Sequence, residues 1–370
     1  MLQTKFIKSA SQKLANDNSI KNLVIGFDGF IDEIIHVVEE RQAIDKYTRV
    51  ETCGDFAKKI AAAAGISANI EFFPIQTKIG GNGPVLANAL ALQNHKVSYI
   101  GALGAGGIEP IFADFAKHCQ KVITMAAPGH AYALEFNDGK IICGKTVSLP
   151  AVNWEKLLTL IPETELKETV KNSSLLGFTN WMELPNFNSL LLGFNRILVE
   201  TKNRPVLFID LADPARRPVK EVEEVCGHMK KLQENADVIL GLNESESRQI
   251  AAIYDIAKED DFHNRASQIQ KELGICAVVI HPLAGAAVST KDGSWWIEGP
   301  YTKKPKLTTG AGDNFNAGFC SGWLSGLTPQ ECLCSGVCTS GFYVRKSRSP
   351  KRNELIEFMT KWADIDCGEI

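Results

Sequence analysis

Leu307-Thr308-Thr309-Gly310-Ala311-Gly312-Asp313-Asn314-Phe315-Asn316 is the stretch from which the fold of this chain is most readily read. Two glycines within three residues let the main chain turn its amides into a concavity, and the helix-like run that follows adds the positive end of its dipole. A carboxylate, Asp313, stands beside that cluster of N–H donors. The setting suits an anionic phosphoryl group with Asp313 as base. The plainer alternative is an ordinary strand-to-helix turn in which Asp313 merely caps the helix.

Working outward, Leu23-Val24-Ile25-Gly26-Phe27 is a short apolar run ending in a buried parallel strand's manner, with its carboxyl end toward a crevice. Runs of the same kind recur at 97–101, 174–178, 206–210, 238–240 and 277–280, alternating with helical patterns at 84–93, 219–233 and 264–273. This alternation predicts an α/β fold, a doubly wound, mostly parallel sheet flanked by helices. Two segments break the rhythm. Leu134–Gly144 around Asn137-Asp138-Gly139 and Ala286–Ile297 around Lys291-Asp292-Gly293 read as β-hairpins. The first, with pieces from about 33–52, 70–79 and 130–146, predicts a small β lid over one end of a single 1–370 domain. Asp55 as N-cap and Gly65 as stop predict an alanine-rich helix over 56–64, inserted near that lid. Trp295 and Trp296, adjacent on a strand, must point to opposite faces, one into the core and one half-exposed.

The 370 residues are 45% hydrophobic and 22% charged, ample for a full core, and 40 basic against 43 acidic residues leave a net charge of -3. Nothing global attracts nucleic acid or an anionic membrane. The N-terminal twenty residues lack the apolar centre of a signal peptide, and no run is long enough to span a bilayer. Ten cysteines without regular spacing point to thiols of a reducing, cytoplasmic setting. Cys332, Cys334 and Cys338 read as packing on a helix rather than metal ligands. The basic stretch at Arg345, Lys346, Arg348, Lys351 and Arg352 reads as a solvated helix end.

Thr309-Gly310-Ala311-Gly312-Asp313 with Phe315 and Asn316 resembles the second signature of the ribokinase-like, or PfkB, carbohydrate kinase family. Gly80-Gly81-Asn82-Gly83, then a helix, a strand and Gly101, is similar to its first signature, and Asn243-Glu244-Ser245-Glu246 to its Asn-x-x-Glu element. The order of these elements matches the family over about residues 22–348. The resemblance implies an ATP-dependent kinase that phosphorylates a hydroxyl of a sugar or sugar-like molecule. Asp313 would be the base, with Gly310, Ala311 and Gly312 as an anion hole. Asn243 and Glu246 would hold Mg2+ through water and help place ATP, with Thr309, His281 and Asn316 near the nucleotide; a monovalent cation is compatible. Gly80, Gly81 and Asn82 would meet the acceptor, together with Asp32 or Asp28, of which Asp32 is preferred. Asp210 and Asp213 would border the phosphates. Lid edges in this family can pair, so a homodimer is compatible. Leu307, Val85 and Ile280-His281-Pro282 depart from the family pattern and bear on acceptor and nucleotide identity. A nucleoside kinase of the same family and a non-catalytic sugar or nucleotide sensor are the rival readings.

Overall fold

A computed structural model describes residues 2–256 and 261–368. Its strands are β1 (Asn22–Phe27), β2 (Phe30–Ala43), β3 (Lys46–Arg49), β4 (Phe72–Gly80), β5 (Lys96–Gly101), β6 (Lys121–Thr124) and β7 (Gly129–Glu135). After these come β8 (Lys140–Lys145), β9 (Leu175–Thr179), β10 (Val206–Asp210), β11 (Asp237–Leu242), β12 (Ala277–Ile280), β13 (Gly285–Thr290) and β14 (Gly293–Glu298). Nine of them form one sheet in the order β14-β13-β12-β11-β10-β9-β1-β5-β6. The pairings from β12 through to β6 are parallel, and β13 and β14 extend the sheet through antiparallel pairs.

Side-chain alternation explains why the apolar runs are continuous. Val24, Leu176, Leu207, Ile209 and Leu240 join the core on one face of the sheet, while Ile25, Leu175, Phe208 and Ile239 join the core on the other. Helices must therefore cover both faces. Strand β1 sits in the interior, with β5 on one side and β9 on the other. The strand order reverses there, and such a reversal leaves a crevice at the carboxyl ends of the strands.

The remaining strands make a second, five-stranded sheet. β2 pairs with β4 antiparallel and β7 parallel, β3 pairs with the far half of β2, and β8 closes a hairpin with β7. One face of it carries an apolar cluster of its own: Ile35, Val37, Val50, Leu134 and Phe136, covered by Phe56. Phe56 belongs to the helix Cys53–Ala62, whose ring lies 5.4 Å from that of Phe136. The inserted helix thus seals the outer face of the lid-like sheet. Its N-cap is Thr52 rather than Asp55. The Thr52 hydroxyl accepts from the Asp55 amide at 3.0 Å, and the helix ends before Gly65.

Both hairpins form, as β7–β8 and β13–β14. Trp295 and Trp296 pack on opposite faces of the main sheet, and both are half-buried, so neither is the core residue expected. The N-terminal segment, read above only for what it lacks, is the helix Leu2–Asn16, and Ile7, Ala10 and Leu14 are buried in the core beside the C-terminal helices. All ten cysteines are free, and no group of three or more acidic, His or Cys side chains among the described residues is arranged to hold a metal ion directly.

Candidate active site

Asp28 follows β1 at its carboxyl end and is fully buried. Its carboxylate accepts from the Asn82 amide (2.9 Å), the Gly83 amide (2.8 Å) and Asn180 Nδ2 (2.6 Å). A Cβ on Gly83 would stand 2.6 Å from Asp28 Oδ1, so only glycine lets the turn close this tightly. Burial raises the Asp28 pKa to about 6 against the pull of those hydrogen bonds. In the structure this carboxylate, one of the two offered as acceptor ligands, clamps the Gly80–Gly83 turn and does not line the cleft onto which Asp32 opens.

Asp32 lies four residues on, in β2, and opens onto a cleft of about 890 Å³ that it shares with Gly80, Gly81, Asn82, Gly310 and Asp313. The half-buried Asp32 carboxylate makes no hydrogen bond among the described residues, and burial raises its pKa while Lys78 and Lys140 oppose the rise. It is a vacant acceptor of hydroxyl protons. Asp313 faces it. Gly310 is the N-cap of the helix Ala311–Leu324, at φ +93, so Asp313 is not the cap and its side chain is left for other work. Asn82 Nδ2 donates to Asp313 Oδ1 at 3.0 Å. Burial first, then the nearby Asp210 charge, pushes the Asp313 pKa well above the carboxylate range, with Asn82 pulling the other way.

The glycine loop is held from two sides. Tyr343 Oη donates to Thr309 O at 2.8 Å and would stand 2.8 Å from a Cβ at Gly310. His281, after β12, would stand 3.1 Å from a Cβ at Gly312. Beyond Gly312 lies a second cleft, about 310 Å³ in volume, lined by His281, Pro282, Tyr301, Ala311, Phe315 and Val344 among others. His281 keeps a buried Nε2 with no partner, and burial lowers its pKa to about 4, so the ring is neutral at physiological pH. It lines this second cleft. Thr309 does not; it lines the cleft of Asp32 and Asp313, with Lys140 Nζ 3.3 Å from its hydroxyl. Asn316 lines neither cleft. It is buried and donates to Asp210 Oδ2 at 2.9 Å, holding the carboxylate that ends β10.

Asn243 and Glu246 begin the helix after β11 and bond each other in a capping box, with Asn243 N to Glu246 Oε2 at 2.8 Å and Glu246 N to Asn243 Oδ1 at 2.9 Å. A cap alone needs no charge. Glu246 nevertheless lies close enough to Asp210 and Asp213 that burial and their repulsion raise its pKa, and no basic side chain among the described residues pairs with Glu246 or Asp210. Uncompensated carboxylates of this kind fit a hydrated Mg2+, which keeps its waters and needs few direct protein ligands.

Three positions with no sequence signal complete the arrangement. Asn180, left-handed at φ 63 after β9, secures Asp28; Tyr343 secures the glycine loop; Tyr99 donates to Asp28 O at 2.6 Å. The basic stretch is not the solvated helix end expected: Arg345 bonds the carbonyls of Pro300, Tyr301 and Gly341, Arg352 is buried and bonds Leu14 O, and Arg348, paired with Glu354, lines the cleft of Asp32 and Asp313 together with Lys351.

Asp28, Asn180, Asp210, Asn243 and His281 thus all stand at or just beyond the carboxyl ends of neighbouring parallel strands, and the glycine loop closes the crevice they border. Residues 3–362 match the family described as prokaryotic ketohexokinase. The chain belongs to that family. It is an ATP-dependent carbohydrate kinase, a phosphotransferase with a hydroxyl acceptor. A ketohexokinase of Haloferax volcanii is 28% identical over 346 residues, 92% of each protein. Ribokinase from Arabidopsis thaliana, solved with ribose and ATP, superposes with a TM-score of 0.64 at 18% identity, over 92% of this chain and 99% of that one. Ribokinase from Cryptococcus neoformans, solved with ADP, gives 0.62 at 18% over the same shares. These likenesses show the ribokinase-like fold, with its mostly parallel main sheet and small second sheet. In this ketohexokinase-family chain, the departures Leu307 and Val85 both line the acceptor cleft, and His281 and Pro282 line the other.

Proposed function

We propose that this chain transfers the γ-phosphoryl group of ATP to a hydroxyl of a ketohexose, acting as one kinase domain over residues 1–370. The observation that carries the reading is the meeting of Asp32 and Asp313 across one cleft, with the Gly310–Gly312 turn and its helix N-terminus at the floor. Asp32 binds acceptor hydroxyls. Asp313 takes the proton of the attacking hydroxyl, and the amides of Gly310 and Gly312 receive the charge that spreads over the phosphoryl oxygens in a loose transition state, whereas the Ala311 amide, also expected there, donates to Thr308 O at 3.0 Å. Adenine occupies the cleft of His281 and Phe315. Mg2+, when bound, neutralises phosphate charge; Glu246 and Asn243 would hold its waters, with Asp210 adding to the negative field. Closure of the second sheet excludes water from the cleft.

The ten free cysteines support a reducing, cytoplasmic location, and the near-neutral charge supports small molecules as the partners rather than nucleic acid or a membrane. No helix among the described residues is long and apolar enough to cross a membrane. Exposed Phe72 and Ile75 on β4, and Ile141 and Ile142 on β8, support a homodimer through the lid sheet.

A coupled ADP-release assay over ketohexoses, aldohexoses, pentoses and nucleosides tests the reading. A ketohexose is expected to give the highest kcat/KM. A nucleoside or an aldose at the head of that ranking overturns the substrate assignment.

A further inference from the structure

Register decides what the second sheet shows to the site. Asp32 pairs with Lys78 of β4 and with Ala131 of β7, and Glu135 of β7 pairs with Lys140 of β8. Since side chains alternate along a strand, Asp32, Lys78, Glu135 and Lys140 share one face, opposite the one that carries Ile35, Val37 and Leu134. The polar face turns toward the glycine loop. Lys140 Nζ lies 3.3 Å from Thr309 Oγ1 and 2.7 Å from Glu135 Oε1, so its charge is already matched.

Lys78 differs. It is half-buried and lines the same cleft as Asp32, Gly310 and Asp313. Among the described residues its ammonium has neither a hydrogen bond nor an ion pair, although Asp32 stands directly across the ladder and Asp313 is within electrostatic reach. Taking an ammonium partly out of water without a partner is unfavourable, so a cation held in this way is held for something that arrives. The reaction delivers one anion to this cleft, the phosphoryl group at the Gly310–Gly312 turn.

We propose that Lys78 is a catalytic residue supplied by the lid sheet, a cation without a protein partner in the cleft of Asp32 and Asp313 that binds the oxygens of the phosphoryl group in flight. The assignment rests on the kinase reading above and extends it. As the new bond from the acceptor oxygen to phosphorus forms, the bond from phosphorus to the ADP oxygen breaks, and the hydroxyl proton passes to Asp313. Lys78 keeps its own protons throughout. It acts by charge, over the side of the phosphoryl group that the glycine amides do not cover, and Lys140 fastens the sheet to the loop through Thr309 so that Lys78 comes to the right place.

Lys78→Met keeps the length and removes the charge. With the best acceptor of the panel, kcat is expected to fall ~10²–10³-fold, as for loss of one oxyanion-stabilising donor, while the acceptor KM stays within about threefold. Lys78→Arg should recover part of the rate. Calorimetric titration in the presence of acceptor gives a readout independent of turnover: the wild-type chain should bind a non-hydrolysable ATP analogue more tightly than ADP, and Lys78→Met should lose that difference. A variant with near-normal kcat, or one whose whole defect is a higher acceptor KM, overturns the proposal, the second outcome making Lys78 an acceptor ligand. If the best acceptor is not a ketohexose, the substrate assignment fails while the Lys78 test proceeds with the acceptor found.

Discussion

Asp28 and Asp32 stand four residues apart and are separated in role by what surrounds them. Three protein donors occupy Asp28, so Asp28→Ala strands two buried amides and an Asn180 amide and should lower the melting temperature as well as activity. Asp32 has no protein donor to lose. Asp32→Ala should raise the acceptor KM ~10–100-fold, the worth of hydrogen bonds to a charged group, and leave the ATP KM unchanged. Steady-state kinetics on both variants, with thermal melts, decides between them; the reverse pattern would exchange the roles. Asp313→Asn removes the base while retaining a group of the same size for Asn82 to meet. Turnover should fall ~10²–10⁴-fold with ATP binding and melting temperature retained, and near-normal turnover would sink the mechanism. The sign of the pH dependence follows from the raised Asp313 pKa. Its base form dominates only above that pKa, so kcat/KM is lost as pH falls through it. Asn82→Ala removes the one hydrogen bond that favours the ionised form, and the acidic limb of the pH profile should move to higher pH.

At the scale of the element, each helix that opens on the crevice has its own way of starting. Ala311–Leu324 begins on a left-handed glycine with no side-chain cap and with the Ala311 amide turned back onto Thr308 O at 3.0 Å, whereas Glu244–Ile253 begins on a closed capping box. Glu246→Gln separates the two functions of that box, because glutamine still accepts from the Asn243 amide but carries no charge. The variant should keep its melting temperature, need more Mg2+ for half-maximal activity, and show a weaker Mg2+-dependent rise in melting temperature in the presence of ATP. An unchanged Mg2+ requirement would leave Glu246 as a cap only. The Asn-x-x-Glu spacing is the same for cap and metal site, which is why spacing alone did not distinguish them; the buried Asp210 and the exposed Asp213 nearby are what favour the metal reading.

Across the whole molecule, the N-terminal helix is tied to the helix Pro329–Lys346 through one buried carboxylate, and to the last helix through Arg352 and Leu14 O. Glu331 caps the helix Pro329–Lys346 and also accepts from Lys13 Nζ at 2.7 Å and Ser9 Oγ at 2.6 Å. Burial would raise its pKa, but hydrogen bonds from Lys13, Ser9 and the Thr328 amide outweigh that and hold it low. A depressed carboxylate pKa adds stability above its unfolded value, and that stability is lost as pH falls through the folded one. Glu331→Ala should cost about 1–2 kcal/mol by denaturant titration at neutral pH, the usual worth of a helix cap, and the difference from wild type should shrink in acid. A difference independent of pH would assign the loss to packing instead.

Hydrophobic pattern and turn chemistry were enough to place six of the seven parallel strands of the main sheet, both hairpins and the glycine loop, because each depends on residues near one another in the chain; the short edge strand β6, four half-buried residues, carried no such pattern. The signatures at 80–83 and 309–313 were legible for the same reason: a tight turn at a helix start has few sequence solutions. Tertiary structure alone decided which of two nearby aspartates opens onto the cleft, that Asn316 supports Asp210, and that Thr309 lines the cleft of Asp32 and Asp313. It also decided the N-terminal helix, whose apolar face has meaning only against partners more than three hundred residues away. Lys78 shows the reason most plainly. Its chemistry is invisible in a strand of mixed residues and becomes so exposed to view only when the register of β2 and β4 sets it opposite Asp32 and over the glycine loop.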